Sequence, residues 1–303
     1  MSRRSARTAA RFAKIAELVQ TGNFYDAQQM YKSVFQKLVL QNEIEEATTA
    51  LRTGAHLMLQ SNQVECGSEL SKMLVQHLVT TKHAQDDSTL DMLRGIANLF
   101  PKEHPLNAID FLRSCIRWSS TFGPTKAGHA SLHRALALWQ WDDDKANAHR
   151  HFARAGCPDE FADLLIAWAA TGLESERDLF LARAVLQCLC VGAVGDANRI
   201  FEKYTSHFFR PHGGKVAECG PFPLPMCNFL RFLLLTCERG PEAAPLYKTL
   251  IEHYGPSLAR DETFQTYAQH IGKAYFGIPT QPKGLQGMLG GMLSSLLGGE
   301  DEG

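Results

Sequence analysis

The sequence lacks most of the features that announce chemistry. No run of 18 apolar residues occurs, and the most apolar stretch, Phe229–Cys237, is broken by Arg231. That excludes a membrane-spanning helix. Net charge is only −1 over 303 residues, so no global positive excess exists to capture nucleic acid. The eight cysteines (Cys66, Cys115, Cys157, Cys188, Cys190, Cys219, Cys227 and Cys237) form no C-x-x-C pair. Most sit inside apolar helical patterns, where a thiol acts as a small hydrophobe. The expectation is a reducing compartment with neither disulfides nor zinc. Phosphate-binding, nucleophile-elbow, zinc-protease and dinucleotide fingerprints (G-x-x-x-x-G-K-[ST], G-x-S-x-G, H-E-x-x-H, G-x-G-x-x-G) are all missing. No catalytic residue, metal ligand or cofactor is therefore nominated.

What the chain does contain is a folding signal. Apolar residues make up 45% and charged residues 21%, the proportions of a chain that builds a core. Ala27, Met30, Tyr31, Val34, Phe35 and Leu38 fall at helical spacing over three turns. Ile44, Ala47, Leu51, Ala55 and Met58 make a second stripe, Leu70, Met73, Leu74 and Leu78 a third, and Ala197, Ile200, Phe201, Tyr204 and Phe208 a later one. Breaks fall every 18–22 residues, at Gly22-Asn23, Gln41-Asn42, Ser61-Asn62, Asp86-Asp87-Ser88, Gly123-Pro124, Asp142-Asp143-Asp144, Cys157-Pro158 and Gly195-Asp196. Asn, Asp and Ser there can cap the next helix, and Pro105, Pro158 and Pro241 suit helix starts. A loose motif recurs in which Gly is followed five residues on by Ala, as in Gly22/Ala27 and Gly192/Ala197, with a degenerate copy around Asp144–Ala148. Together these describe an all-α chain: an α-solenoid of tetratricopeptide-like helical hairpins, twelve to fifteen helices long. It spans 1–278 as one solenoid with halves near 1–156 and 157–278, followed by a flexible Gly/Ser-rich tail, 279–303.

Two segments break the rhythm. Residues 210–226 carry prolines at alternate positions, Pro221, Pro223 and Pro225. These oppose helix, and Gly213-Gly214 could turn a short irregular segment or β-hairpin. The basic N-terminus, with Arg3, Arg4, Arg7, Arg11 and Lys14 ahead of Glu17, has the composition of a mitochondrial presequence. Yet Phe12, Ile15, Ala16 and Val19 keep a helical spacing that runs on into the fold, which favours a basic first helix. His129 and His133 could share a metal, and Asp142–Asp144 could hold magnesium, but neither set has a further ligand at matching spacing. Packing histidines and a solvated helix cap are the expectation. Trp139 and Trp141 cannot share a helix face, so one belongs to the core and the other to a groove or the surface.

Several stretches together resemble the Golgi to ER traffic protein 4 family, the cytosolic adaptor of tail-anchored membrane-protein targeting. The resemblance begins with Gly22-Asn23-Phe24-Tyr25-Asp26-Ala27-Gln28-Gln29-Met30-Tyr31, then Gly54-Ala55 with Leu57 to Leu59 and Gly67 to Leu74. It continues through Leu132-His133, Ala137, Trp141 and Ala148-His149-Arg150-His151-Phe152. The C-terminal half adds Gly220-Pro221-Phe222, Asn228 to Leu235, Pro256-Ser257-Leu258 to Arg260-Asp261, Ile271-Gly272 to Tyr275-Phe276-Gly277, and Gly287-Met288-Leu289-Gly290-Gly291. The resemblance implies a non-enzymatic, cytoplasmic scaffold that delivers tail-anchored proteins to the ER. It implies two partners, a targeting ATPase at the N-terminal half and a ubiquitin-like-domain protein at the C-terminal half, with no nucleic acid and no stable membrane insertion. The family grips the second partner near 210–226, which here is short and proline-rich. A solenoid scaffold of a proteolysis or translation-associated complex is the alternative.

Charge and polarity nominate residues for those roles. Residues 1–40 carry seven basic side chains against two acidic ones, and the next sixty are acidic on balance. Such a dipole suits a charge-steered partner. The ATPase is expected on the first two helices, at exposed members of Arg11, Lys14, Phe24, Tyr25, Gln28, Gln29 and Lys32. Val216, Phe222, Leu224 and Met226 are apolar in a segment that resists helix, so the ubiquitin-like partner is expected to cover them by strand addition. In the tail, Leu285, Met288, Leu289, Met292, Leu293, Leu296 and Leu297 share one helical face. This glycine-rich segment is expected to order only on docking.

Overall fold

The computed structural model describes residues 3–209 and 222–279, and for residues 3–10 the backbone only. Among the described residues there are fifteen α-helices and no strand. The fold class is the all-α solenoid type that the periodicity predicts. Val216, most of the 210–226 hairpin, the side chains of Arg3, Arg4 and Arg7 and the tail stripe from Leu285 to Leu297 lie outside the described residues. The chain divides into two compact units, Met1–Lys145 and Ala146–Gly303.

The first unit holds α1 (Arg3–Gln20), α2 (Phe24–Leu40), α3 (Ile44–Gln60), α4 (Val64–Thr80), α5 (Asp87–Ala97), α6 (Pro105–Phe122) and α7 (Ala130–Gln140). Its first four helices are joined by one repeated turn. Gly22, Asn42, Asn62 and Lys82, twenty residues apart, all have positive φ. In each, two amides fold back onto the helix just ended. The Asn42 N–H donates to Val39 O at 3.0 Å and the Glu43 N–H to Leu38 O at 2.9 Å. Asn62 and Gln63 repeat this on Leu59 and Met58, and Lys82 and His83 on Val79 and Leu78. These bonds satisfy the carbonyls that a helix end leaves open. At the first three turns the residue after the positive-φ position is already the cap of the next helix.

Asn42 and Asn62 therefore contribute a left-handed backbone and not the expected side-chain cap. No side-chain cap bond is made at the starts of α2, α3, α4 or α11 (Val194–Phe208). Asp86, His129 and Asp261 do cap with their side chains, accepting the N–H of Thr89, Ser131 and Thr263. Gly192, with φ of 81°, makes the same turn before α11. The break expected at Gly195-Asp196 is thus displaced: both residues lie inside α11.

Five residues beyond the turns at Gly22, Asn42, Asn62 and Gly192 sits a small residue: Ala27, Ala47, Gly67 and Ala197. The alanines are fully buried, where the new helix leaves the old one at closest approach. At Gly67 even a methyl group would stand 2.6 Å from Leu59 Cγ. Beyond that point the stripes interlock. α3 packs between α2 and α4, α4 against α6, and α6 against α7, while α5 leans on α3, α6 and α7. Trp118, fully buried, donates its indole N–H to His83 O at 3.2 Å. His133 is committed to the backbone, with Nε2 2.8 Å from Ala127 O. Of the tryptophan pair, Trp139 is buried and Trp141 half-buried.

The second unit is organised around α10 (Arg177–Cys190), which packs on α9 (Pro158–Ala169), α11, α12 (Pro225–Arg239) and α15 (Glu262–Phe276). Leu181, Ala182, Ala184, Val185, Leu186, Cys188 and Leu189 are all fully buried, as a helix apolar on most sides requires. α8 (Lys145–Phe152), α13 (Ala244–His253) and α14 (Gly255–Leu258) complete the unit. Burial pushes the Cys190 thiol up to about 12, and the seven described cysteines are free thiols. Two crossed ion pairs tie α10 to the start of α15. Arg183 meets Asp261, and Asp178, with no exposed surface, meets Arg260, whose second nitrogen donates to Ser175 O at 3.0 Å. Burial by itself would raise the Asp261 carboxyl, but bonds from Thr263 and Arg183 hold it below the ordinary range.

Two outcomes follow for stability. Lys82→Gly relieves a left-handed lysine in an exposed turn and is expected to stabilise by about 0.5–1 kcal/mol, whereas Gly67→Ala is expected to destabilise by about 1–3 kcal/mol. Urea midpoints followed by circular dichroism would check both. A Gly67→Ala protein as stable as the parent would remove the close approach from the argument. Asp178→Ala strands the Arg260 guanidinium; because that group is 36% exposed, the expected loss is about 2–3 kcal/mol, at or below the lower end for buried pairs. Thermal melts of Asp178→Ala and the double variant with Arg260→Ala would measure the coupling.

Candidate partner-binding surfaces

The N-terminal surface is set by what α1 and α2 bury. Ile15 is buried, Phe12 and Tyr31 bring their rings to 6.1 Å, and Ala27, Tyr31, Val34 and Leu38 turn inward. Outward go Lys14, Gln29 and Tyr25, the last 68% exposed; Arg11 and Phe24 are half-buried.

Gln28 and Lys32 depart from the expectation of an exposed docking face. They stand one turn apart on the side of α2 that meets α4. The Gln28 amide donates to Glu69 Oε2 at 2.7 Å and reaches Cys66 O at 3.4 Å. Gln28 is 2% exposed. The Lys32 ammonium pairs with the other Glu69 oxygen. Hydrogen bonding from Lys32, seconded by Gln28, holds the Glu69 carboxyl below its usual range. These two residues therefore serve the α2–α4 contact, and Gln28 leaves the list of residues a partner can touch.

The C-terminal surface needs a larger correction. Phe222 and Met226 are buried and Leu224 is half-buried. Asn228, fully buried, closes a ring on Phe222: its Oδ1 accepts the Phe222 N–H and its Nδ2 donates to Phe222 O, both at 2.9 Å. That ring turns the Phe222 side chain edge-on to Phe201, with centroids 5.5 Å apart. Pro225 is the first residue of α12 and needs no donor there, so Met226 enters the helix and the core. The chain's own interior covers Phe222 and Met226, and no partner is needed to do so.

The exposed apolar groups of the second unit lie elsewhere, at Leu173 (65%) ahead of α10 and at three residues further on. Phe232 (38%) and Leu235 (39%) stand three apart on α12, and Leu246 (46%) on α13. Sequence reading passed over them because Phe229–Leu235 is apolar almost all round, which hides the outward side. That same excess was the available signal: one buried stripe does not need every position apolar. Among the described residues, no helix is long and apolar enough to cross a membrane, and no group of three or more His, Cys, Asp or Glu side chains is placed to hold a metal ion.

The description "Golgi to ER traffic protein 4" belongs to the family model that matches residues 41–297. The homolog of that name from Oryzias latipes is 33% identical over 95% of this chain and 88% of its own length. Those from Xenopus tropicalis and Homo sapiens are 34% and 31% identical over 95% of this chain, covering 87% and 86% of theirs. This chain belongs to the Golgi to ER traffic protein 4 family. A crystal structure of C. therm. Get4 superposes with a TM-score of 0.80 at 26% identity, covering 97% of this chain and 96% of that one. The family match starts one residue after α2, so it takes in the C-terminal surface, whereas the N-terminal surface is reached by the longer pairwise and structural likenesses.

The Glu69 cluster predicts a pH dependence. A carboxyl held below its unfolded value contributes stability above that value and loses it as pH falls through the folded one. The parent protein should therefore lose more stability than Glu69→Gln between roughly pH 6 and pH 3. Parallel denaturant titrations with identical slopes would show that the cluster carries no such linkage.

Proposed function

We propose that the protein is a non-enzymatic, cytoplasmic adaptor that joins a targeting ATPase to a ubiquitin-like-domain protein in the delivery of tail-anchored membrane proteins to the ER. Family membership across nearly the whole chain is the observation that carries this reading. Two further features support it. Basic residues concentrate in 1–40, with Lys14, Tyr25 and Gln29 outward and Arg11 and Phe24 beside them; these are the groups assigned to the ATPase. In the second unit Phe232, Leu235 and the half-buried Leu224 replace Phe222 and Met226 as the groups assigned to the ubiquitin-like partner.

The two assignments have different kinetic signatures. Arg11→Glu with Lys14→Glu is expected to slow association with the ATPase about tenfold at low salt and to leave dissociation nearly unchanged. Phe232→Asp with Leu235→Asp is expected to abolish co-purification of the ubiquitin-like partner while helicity persists. Surface plasmon resonance across a salt series and mass spectrometry of co-purifying proteins would measure both. Recovery of proteasome or ribosome components in place of the two partners would overturn the adaptor reading.

A further inference from the structure

We propose that the chain's own C-terminal apolar stripe, Leu285 to Leu297, docks in the hollow between α13 and α15. The hollow encloses about 410 Å³, within the range of specific pockets and enough for a few side chains. Tyr247, Ile251, Leu258, Ala268 and Ile278 give it an apolar lining. Ile251 and Ile278 are only half-buried, so part of that lining meets water. At the rim Lys248 and Glu252 cancel in charge, and Gln265 and Gln269 are neutral. Such a rim has no excess charge with which to attract a charged peptide or a nucleic acid. It suits an apolar helix face backed by uncharged residues. The stripe is of that kind: Gln286, Gly287, Gly290, Gly291, Ser294 and Ser295 are the residues between its apolar members.

The walls of the hollow are fixed before anything enters it. The Tyr247 hydroxyl donates to Ala268 O across the two helices, and the Tyr247 ring stacks on Phe276 at 4.6 Å. A preformed wall spares an occupant the cost of ordering it. The path of the chain commits the hollow to this occupant. α15 ends at Gly277 in the left-handed region, and the Ile278 N–H donates back to Gly272 O at 3.0 Å. That turn brings Ile278 and Pro279 themselves into the lining. Five residues then separate Pro279 from Leu285, a reach of about 20 Å. A tether so short holds the stripe near the hollow at an effective concentration of order millimolar, which a second copy or a free peptide would have to exceed. The stripe also needs a cover. Seven large apolar residues on one helix face make a patch that soluble chains rarely leave bare. Its glycines each cost about 1 kcal/mol of helix stability relative to alanine, so burial in the hollow supplies what the segment's own propensity does not.

The experiment is hydrogen exchange read by mass spectrometry on the full chain, without partners, at two widely separated protein concentrations. Amides of 285–297 are expected to exchange about tenfold or more slowly than in the variant Leu289→Ser with Leu293→Ser, equally at both concentrations. The same tail variant should speed exchange at the facing residues of α13, around Ile251. Ile251→Asp should release the tail from the other side, whereas Leu246→Ser, on α13 but outside the hollow, should change tail protection less than about twofold. Thermal melts establish that each variant is folded. Should Ile251→Asp fail to fold, the reciprocal effect of the tail variant on α13 still decides. Tail amides as unprotected in the parent as in the tail variant overturn the proposal, and so does protection that survives in folded Ile251→Asp. Protection that rises with protein concentration assigns the hollow to a second copy, and protection that appears only on adding the ubiquitin-like partner assigns the stripe to that partner; either result overturns docking within one chain.

Discussion

The structure depends first on how one helix is made to stop and the next to begin without spare chain. At Gly22, Asn42 and Asn62 a single left-handed residue reverses the backbone. Its neighbour both closes the old helix and opens the new one. No loop residue is left to adjust, so helix length alone sets the twenty-residue step. The small residue five positions on is then forced into the closest part of the crossing. With the turns and the small residues in place, the azimuth of α2, α3 and α4 is settled, and so is the side of each that meets water. Tyr25 and Gln29 face outward because Ala27 and Tyr31 cannot.

In the second unit the equivalent constraint is a buried helix. α10 has almost no side free, and its few polar groups are placed where a neighbour can answer them. The Gln187 amide donates to the Tyr267 hydroxyl at 2.9 Å, and Asp178 and Arg183 meet Arg260 and Asp261. Several stretches that carry the family resemblance prove to be folding signals of this kind. Gly272 lets the Tyr247 ring come within 3.1 Å of where a side chain would start, Phe276 stacks on Tyr247 at 4.6 Å, and Gly277 ends α15 in the left-handed region. Family likeness in these segments reports shared packing; it does not by itself mark the residues that touch a partner.

This explains what was legible in the sequence. Helical stripes, the turns at Gly22, Asn42 and Asn62, and the division of labour between Trp139 and Trp141 are local properties, and periodicity exposes them. Lys82 was not legible as a turn, since lysine has no preference for the left-handed region and only the spacing from Asn62 betrays it. Gly195 was mistaken for a break because two glycines lie three apart and the hydrogen bonds at Gly192 decide between them. The surface residues fared worst, for a physical reason. Whether Gln28 faces solvent depends on Glu69, forty-one positions away. Whether Phe222 is bare depends on Asn228 closing a ring around its backbone. Neither partner is signalled by the residues beside the one in question.

The distribution of exposed groups also constrains how partners could be held. In the first unit the stripes are spent largely on the core, and what faces water near α1 and the start of α2 is mostly charged or polar, with Tyr25, and Val39 and Leu40 at the far end of α2, as the large apolar exceptions. Charges of that kind act at long range and act mainly on association rate. In the second unit the groups assigned to a partner are apolar. Phe232 and Leu235 contribute nothing at long range but resist separation once desolvated. On the adaptor reading, the two ends of the chain thus answer different demands. A partner that must come and go in each delivery cycle suits the charged end, where salt and competing charge can release it. A partner that stays suits the apolar end. The fold agrees with this, because Phe232 and Leu235 sit on α12, which packs directly against the buried α10.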